Sequence, residues 1–242
     1  MSSVTVYESG ASPARPWSEF SAGARQAVPI FLGYLTLSVA YGVLARDAGL
    51  SLLDTMAMSL FVYAGAAQFI AVGMFAVGMD PLTVIFTTFL VNLRHVLMGA
   101  SLAPFLRGLG FPSLALLATG VTDETFALNS TEYARRRHHH FFMYGAHLTS
   151  YSGWVSGSFI GAAGGSLVPG LDRLPLDFAL PAMFISLLVL QVRDRLLAAA
   201  ALLAAAFSVA CALLLPGNWN IIVATLLVAT LASGWEKWKR NS

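Results

Sequence analysis

Two short polar runs interrupt stretches of the chain that are otherwise apolar enough to lie in lipid. They are Asn92-Leu93-Arg94-His95 and Asp123-Glu124. An ionised side chain near the centre of a bilayer costs at least about 2.5–3.5 kcal/mol on insertion scales, so it is retained where it faces a partner or a water-filled path. The two runs therefore predict a membrane protein that moves a solute or a proton, and they indicate where its site should lie.

Arg94 and Asp123 are spaced to meet across a helical hairpin. Arg94 lies 15 residues before Leu109, and Asp123 lies 14 residues after it. At a rise of about 1.5 Å per residue, both lie about 21–23 Å from the turn and so at similar depth. A buried guanidinium favours a carboxylate partner. The pair is consistent with a static contact that fixes helix packing and also with a role in handling substrate or protons.

The neighbours of these two residues extend the candidate site. Adjacent helix residues point about 100° apart, so one member of each adjacent pair can line a path while the other packs. This applies to His95 beside Arg94 and to Glu124 beside Asp123. Histidine titrates near neutral pH, which suits proton coupling. Asn92 could hydrogen-bond to a ligand or across helices, and a structural role is the alternative for His95 as well.

A patch of small residues, Gly65-Ala66-Ala67-Gln68, lies inside an apolar span. Small residues allow helices to approach closely. They also allow local unwinding, which frees backbone N–H and C=O groups that can bind the carboxylate and ammonium of a zwitterion. Pro181 removes one helix hydrogen bond and frees a carbonyl at a later segment. Packing alone is the alternative for each of these positions.

Gly153, Gly157, Gly161 and Gly165 repeat every four residues along one apolar segment. Such a face of small residues is typical of tight helix contact, within a chain or with a partner. His138-His139-His140 follows three arginines, and we interpret this run as a cytoplasmic basic anchor at the membrane surface.

Composition assigns the chain to the polytopic membrane proteins. Of its 242 residues, 57% are hydrophobic and 11% are charged, against about 25% charged residues in soluble domains. Apolar runs near 20 residues favour helices over barrel strands. The net charge of +2 does not indicate nucleic-acid binding. No spacing of residues indicates a metal site, a cofactor, a phosphate loop or a catalytic constellation, so we do not expect an enzyme.

The predicted fold is an all-α membrane helix bundle of about eight segments, with seven as the alternative, in which some helices are broken. The segments are Val28–Leu44, Leu53–Val77, Pro81–Leu106, Pro112–Tyr133, Phe141–Ala163, Leu176–Val192, Leu196–Leu215 and Trp219–Trp235. The third, fourth and sixth are the segments that we expect to be broken or partly re-entrant. Residues 1–25 are predicted to form a polar cytoplasmic tail, 26–236 the transporter domain, and 237–242 a basic cytoplasmic end.

The distribution of Lys and Arg places both termini in the cytoplasm. A weak internal similarity at an offset of roughly 113–115 residues suggests a two-fold repeat, as in many transporters. It relates 35–41 to 148–154 and 63–69 to 178–184. Chance similarity between apolar sequences is the alternative.

Five motifs in order resemble one known family. They are residues 23–29, Tyr63 to Phe69 (YAGAAQF), Asn92 to His95 (NLRH), Thr122 to Ala127 (TDETFA) and Asp177 to Leu180 (DFAL). Together they resemble the AzlC family, the large subunits of bacterial branched-chain amino acid exporters of the azaleucine-resistance type. The resemblance covers about residues 20–236.

The resemblance implies secondary transport that exports leucine, isoleucine, valine and sometimes methionine across the bacterial plasma membrane. It also implies a small membrane subunit of the AzlD type as partner, and a higher oligomer is a further expectation. An aliphatic amino acid needs an apolar pocket, a carboxylate partner and an ammonium partner. The carboxylate would bind Arg94 or a broken-helix N-terminus, and the ammonium would bind Asp123, Glu124 or freed carbonyls.

The apolar pocket would come from aromatic and other large side chains, which are Phe61, Tyr63, Phe69, Phe126 and Met183. We take Asp123, Glu124 and His95 as candidates for proton coupling. Two other functions remain open at this point. One is an ion or small-solute channel that uses the same charges for selectivity. The other is a non-transporting structural membrane subunit.

Overall fold

The part of the chain that the computed structural model describes is entirely helical. It comprises residues 16–136, 138–164 and 195–214, with Ile185 and Val189 as single positions. The helices are α1 (Pro16–Gln26), α2 (Val28–Asp47), α3 (Leu52–Ala57) with a π-helical turn (Met58–Val62), α4 (Gly65–Ala76), α5 (Pro81–Asn92), α6 (Arg94–Leu102) with a 3₁₀ turn (Ala103–Leu106), α7 (Phe111–Thr119), α8 (Asp123–Arg135), α9 (Phe141–Gly164) and α10 (Arg195–Leu214). Helices α1–α9 belong to one compact unit, residues 1–179, and α10 belongs to a second, residues 180–242.

The helices coincide with the predicted segments wherever both are described. The first, fifth and seventh segments correspond to α2, α9 and α10. Two stretches of the described residues, Val28–Asp47 and Pro81–Leu106, are long and apolar enough to cross a membrane. The segments 176–192 and 219–235 lie outside the continuously described residues, so the number of eight segments stays a prediction.

Two predicted segments are interrupted in the structure. The second breaks at Tyr63-Ala64, directly before the patch of small residues, and the fourth breaks between α7 and α8. The third segment, also expected to be broken, continues through its polar run, because Leu93 between α5 and α6 keeps a helical backbone (φ −55°, ψ −25°). The prediction of broken helices is therefore confirmed for the fourth segment. In the second, the small residues Gly65-Ala66-Ala67-Gln68 are themselves helical, and the break lies directly before them at Tyr63-Ala64.

Helix α2 packs along α9 through glycine. A Cβ atom on Gly153 would lie 2.7 Å from the carbonyl oxygen of Phe31, and one on Gly161 would lie 2.1 Å from that of Val39. Because higher residue numbers on one helix meet higher numbers on the other, the two helices run parallel. The predicted face of small residues is thus a contact within this chain, although Gly165 lies outside the described residues.

Helix α1 extends the same packing to the other end of α9. A Cβ on Gly23 would lie 2.0 Å from the carbonyl oxygen of Phe142, again too close for any larger residue. Residues 16–25, which the sequence analysis assigned to a polar tail, therefore belong to a helix packed on α9. The segment carries few apolar side chains, among them Trp17 and Phe20, so a search for apolar runs of about 20 residues did not indicate a helix there.

His138 joins α1 to the end of α8. Its Nδ1 lies 2.7 Å from a carboxylate oxygen of Glu19, and its Nε2 lies 3.4 Å from one of Glu132. The side chain is fully buried, unlike the surface anchor that we expected, because carboxylates from two helices face the ring. These contacts place the start of α1, the end of α8 and the start of α9 at one end of the first unit.

The close contact between α2 and α9 predicts a selective effect of glycine substitution. Gly161→Ala should lower the free energy of unfolding by about 1–3 kcal/mol, because the new methyl group meets backbone that cannot move aside easily. Gly33→Ala on α2 is the control, since no atom lies within 4 Å of its added Cβ. Thermal unfolding of the two purified variants measures the difference. Equal melting temperatures would contradict this packing.

Candidate functional site

Tyr63 adopts a strained backbone conformation at the first helix break. Its φ of 41° and ψ of 48° lie in the left-handed region, and it is the one non-glycine residue with positive φ among those described. It directly follows the π-helical turn, where its N–H bonds to the carbonyl of Met58 at 3.2 Å. Such a conformation costs on the order of 1–3 kcal/mol and is concentrated at functional sites.

Helix α4 begins at this break without a side-chain cap. Ala64, at the N-cap position, has no side chain that can accept a hydrogen bond. The N–H groups in the first turn of a helix have no acceptor within the helix, and they give its start a partial positive charge. No N-cap side chain bonds to these N–H groups, although the ring of Trp154 lies against Gly65, so the start of α4 keeps a partial positive charge that favours a nearby anionic group.

The second break is closed by its own side chains. Thr122 accepts a hydrogen bond from the N–H of Thr125 at 3.3 Å, and the Thr125 hydroxyl accepts one from the N–H of Thr122 at 2.8 Å. The Thr125 hydroxyl also donates to the carbonyl of Gly120 at 2.8 Å. This capping box satisfies the start of α8, so the two breaks differ in their capacity to bind a ligand.

Arg94 and Asp123 form the ion pair that the sequence predicted. Arg94 Nη1 lies 2.9 Å from Asp123 Oδ2, and the two side chains are 30% and 18% exposed. Arg94 Nε is buried and has no hydrogen-bond partner among the described residues. The pair connects the starts of α6 and α8, so it can fix their packing while part of the guanidinium remains unsatisfied.

Glu124 contacts a different helix. Its carboxylate accepts a short hydrogen bond from the hydroxyl of Tyr34 on α2, and the same hydroxyl lies 2.6 Å from Thr122 Oγ1. Adjacent residues at the start of α8 thus point to separate partners, as their 100° separation suggested. We call Arg94, Asp123, Glu124 and Tyr34 the charged cluster.

A cavity of about 980 Å³ lies in the first unit, and both helix breaks line it. Val62–Ala64 contribute from the first break and Thr119–Val121 from the second. Along α9 the lining extends from Phe141 to Tyr151, a length of about 15 Å. Trp17 lines it as well, so the cavity runs from the level of the breaks to the end of the unit that holds His138.

Three residues on the cavity lining carry a buried polar atom that has no partner among the described residues. These atoms are the Tyr63 hydroxyl, Asn92 Oδ1 and His147 Nδ1. His95, also on the lining, has Nδ1 3.0 Å from the backbone oxygen of Asn92. The ring of Tyr63 meets that of Tyr151 edge to face, with centroids 4.8 Å apart. Tyr63, Asn92 and His95 are thus the candidates that the structure places on the cavity.

Three further candidates, Gln68, Gly65 and Phe126, are not on the cavity lining. Gln68 is buried and donates to the Ser59 hydroxyl at 3.2 Å. Gly65 is covered by Trp154, whose ring would lie 2.7 Å from an added Cβ. Phe126 packs against the cluster of buried residues that includes Leu102.

The predicted apolar pocket is only partly assembled from the residues expected. Phe61 and Tyr63 line the cavity, whereas Phe69 packs on Trp154 with ring centroids 6.4 Å apart. Pro181 and Met183 lie outside the described residues. The other apolar lining comes from residues not singled out before, such as Leu60, Leu116 and Leu148.

Sequence reasoning missed Tyr34 and Trp154. Both are aromatic residues inside apolar helices, where packing is the usual role, and only the placement of α2 beside α8 and α9 brings them to the site. Their rings lie 5.4 Å apart, edge to face. In the described part of the chain, no group of three or more His, Cys, Asp or Glu side chains is placed to hold a metal ion.

Exchange of the two charges tests the ion pair. Arg94→Asp and Asp123→Arg should each lower the free energy of unfolding, because each places like charges together. The expected loss is about 1–3 kcal/mol, less than for a fully buried pair, because the Arg94 side chain is 30% exposed. The double variant restores opposite charges and should recover most of this loss in thermal unfolding. A double variant no more stable than the singles would exclude the pair.

Comparison with known proteins places the chain in a family. The model of the family described as AzlC protein matches residues 29–168. The branched-chain amino acid transport protein AzlC of Bacillus subtilis is 32% identical over 88% of this chain and 83% of its own length. The inner membrane protein YgaZ of Escherichia coli is 34% identical, with 93% and 95% covered. No solved structure matches. The chain is therefore a member of the AzlC family of membrane transport proteins.

Proposed function

We propose that this protein is a secondary transporter that exports branched-chain amino acids across the bacterial plasma membrane. Leucine, isoleucine and valine are the proposed substrates, with methionine as a further one. A relative with this family membership is named as a branched-chain amino acid transport protein. The observation that carries the proposal is the cavity, which joins apolar walls to buried polar atoms that lack partners.

The cavity chemistry suits aliphatic amino acids as a class. Apolar side chains form most of its lining, and a smaller number of polar side chains lie among them. An apolar pocket distinguishes substrates that differ by one methylene by only about 1–3 kcal/mol. Several aliphatic amino acids should therefore share one site, and discrimination against polar side chains should be much stronger.

Proton coupling is assigned to the charged cluster, with His95 as a further candidate. Glu124 is held by a neutral donor, the Tyr34 hydroxyl, whereas Asp123 is held by the cation Arg94. A proton added to Asp123 would break an ion pair, whereas a proton added to Glu124 would only rearrange a hydrogen bond to a neutral hydroxyl. Glu124 is therefore the better proton carrier, and Asp123–Arg94 is the better structural anchor.

The topology proposed has eight spans with both termini in the cytoplasm, and a small AzlD-type membrane subunit as partner. The parallel packing of α2 and α9 supports it, because the first and fifth spans must cross in the same direction. In this orientation the cavity extends from the helix breaks toward the cytoplasm, the side from which an exporter takes its substrate.

Counterflow in vesicles tests transport. Vesicles that contain the purified protein and its small partner should take up labelled leucine faster when unlabelled leucine is inside, because a carrier exchanges substrate across its cycle. A channel would show no such acceleration. A structural subunit would show no leucine flux above that of vesicles with the partner alone. Either result would overturn the proposed function.

Substitution of Glu124 tests the coupling. Glu124→Gln should abolish proton-driven leucine export, because the amide cannot carry a proton, while leucine exchange continues. Asp80→Asn is the matched control: the pKa of Asp80 is held below its usual value by hydrogen bonds from Thr83, so this exposed carboxylate stays ionised. Asparagine preserves that helix cap. Leucine export is measured with and without an uncoupler. The uncoupler-sensitive part of the export should be lost in Glu124→Gln and kept in Asp80→Asn. Full export by Glu124→Gln would exclude Glu124 as the coupling residue.

A further inference from the structure

We infer that Tyr63 and Asn92 bind the two charged ends of the amino acid: the Tyr63 hydroxyl donates to its α-carboxylate, and Asn92 Oδ1 accepts from its α-ammonium group. This assignment rests on the proposed function and specifies how its substrate is recognised. The aliphatic side chain then lies against the apolar cavity wall.

Three independent features converge on Tyr63. The residue is only 5% exposed, yet its hydroxyl has no partner among the described residues. Its backbone is held in the left-handed region. Its side chain lines the cavity. A buried hydroxyl without a hydrogen bond and a strained backbone both destabilise the free protein. A ligand that accepts a hydrogen bond from the hydroxyl removes the first of these penalties.

The start of α4 adds an electrostatic reason for a carboxylate at this position. Tyr63 and Ala64 precede the uncapped first turn of α4, and both line the cavity. The partial positive charge of a helix start attracts anions. The corresponding start of α8 is occupied by its Thr122–Thr125 capping box, so it offers no equivalent. The anionic end of the substrate should therefore lie at the first break.

Asn92 supplies the complementary acceptor. Asn92 lines the cavity, and its Oδ1 atom is buried and has no partner among the described residues. An amide oxygen can only accept hydrogen bonds, and an ammonium group can only donate them. The backbone oxygen of Asn92 is 3.0 Å from His95 Nδ1, a contact that holds this turn of the helix in place.

No Asp, Glu, Lys or Arg side chain is found in the described cavity lining. The zwitterion is thus recognised by neutral dipoles, while the charged cluster remains available for coupling. This division predicts that both charged ends of the substrate are required. Removing one end leaves a buried polar atom of the site without a partner, which is strongly unfavourable.

Binding to the purified full-length protein in lipid nanodiscs tests the assignment with leucine and two analogues. One is 3-methylbutylamine, which lacks the carboxylate, and the other is 4-methylpentanoate, which lacks the ammonium. The parent protein should bind each analogue at least about tenfold more weakly than leucine. In Tyr63→Phe the advantage of leucine over the amine should largely vanish, and in Asn92→Ala the advantage over the acid should vanish.

A stability measurement separates binding from folding. Without ligand, Tyr63→Phe should melt at the same temperature as the parent or higher, because it removes an unpaired buried hydroxyl. Tyr133→Phe is the matched control: Tyr133 is also a buried tyrosine, but it is not on the cavity lining, and its hydroxyl already bonds to the carbonyl of His139 at 3.2 Å. This variant should keep the affinity for leucine and the preference over both analogues.

The outcomes distinguish this assignment from the function on which it rests. If the parent shows neither leucine binding nor counterflow, the proposed function fails and the assignment fails with it. If the parent transports leucine but Tyr63→Phe and Asn92→Ala bind leucine and both analogues as the parent does, only the assignment is overturned. If Tyr63→Phe does not fold, the assignment is still tested by Asn92→Ala and by the affinity of the parent for leucine relative to the two analogues.

Discussion

The absence of water as a hydrogen-bond partner within lipid is the constraint on which this structure depends. A broken helix in that environment exposes N–H and C=O groups that must find partners inside the protein or in a water-filled cavity. Two helices are broken in the described part of the first unit. The chain satisfies one break with the Thr122–Thr125 capping box and leaves the other, at Tyr63, without a side-chain cap. The difference separates a structural break from one that can bind a ligand.

The frame that holds these breaks is built from glycine contacts. Side chains larger than hydrogen at Gly153 and Gly161 would overlap the backbone of α2, so α2 and α9 approach more closely than ordinary helices. This close approach brings Tyr34 and Trp154 into contact in the middle of the unit. The site is thus positioned by two rigid helices, while the break at Tyr63 and the end of α5 at Asn92 provide its polar atoms.

Sequence reasoning succeeded where position along a helix was sufficient. The pairing of Arg94 with Asp123 follows from equal depth on two arms of a hairpin, because the rise per residue is nearly constant. It failed where the outcome depended on rotation about helix axes. The bond from Tyr34 to Glu124 requires α2 to face the start of α8, and the burial of His138 requires α1 to be a helix. The left-handed backbone of Tyr63 was also not predictable, since tyrosine disfavours it.

Tyr34 provides a direct physical route between the cavity and the charged cluster. Its hydroxyl bonds to Glu124, and its ring meets that of Tyr63 edge to face, with centroids 6.3 Å apart. A substrate that engages the Tyr63 hydroxyl would restrict that ring, and protonation of Glu124 would remove the charge that the Tyr34 hydroxyl solvates. Because Tyr34 contacts both Tyr63 and Glu124, binding of substrate in the cavity and protonation of Glu124 would influence each other. Coupled export requires such a dependence, and no movement of a whole domain is needed to begin it.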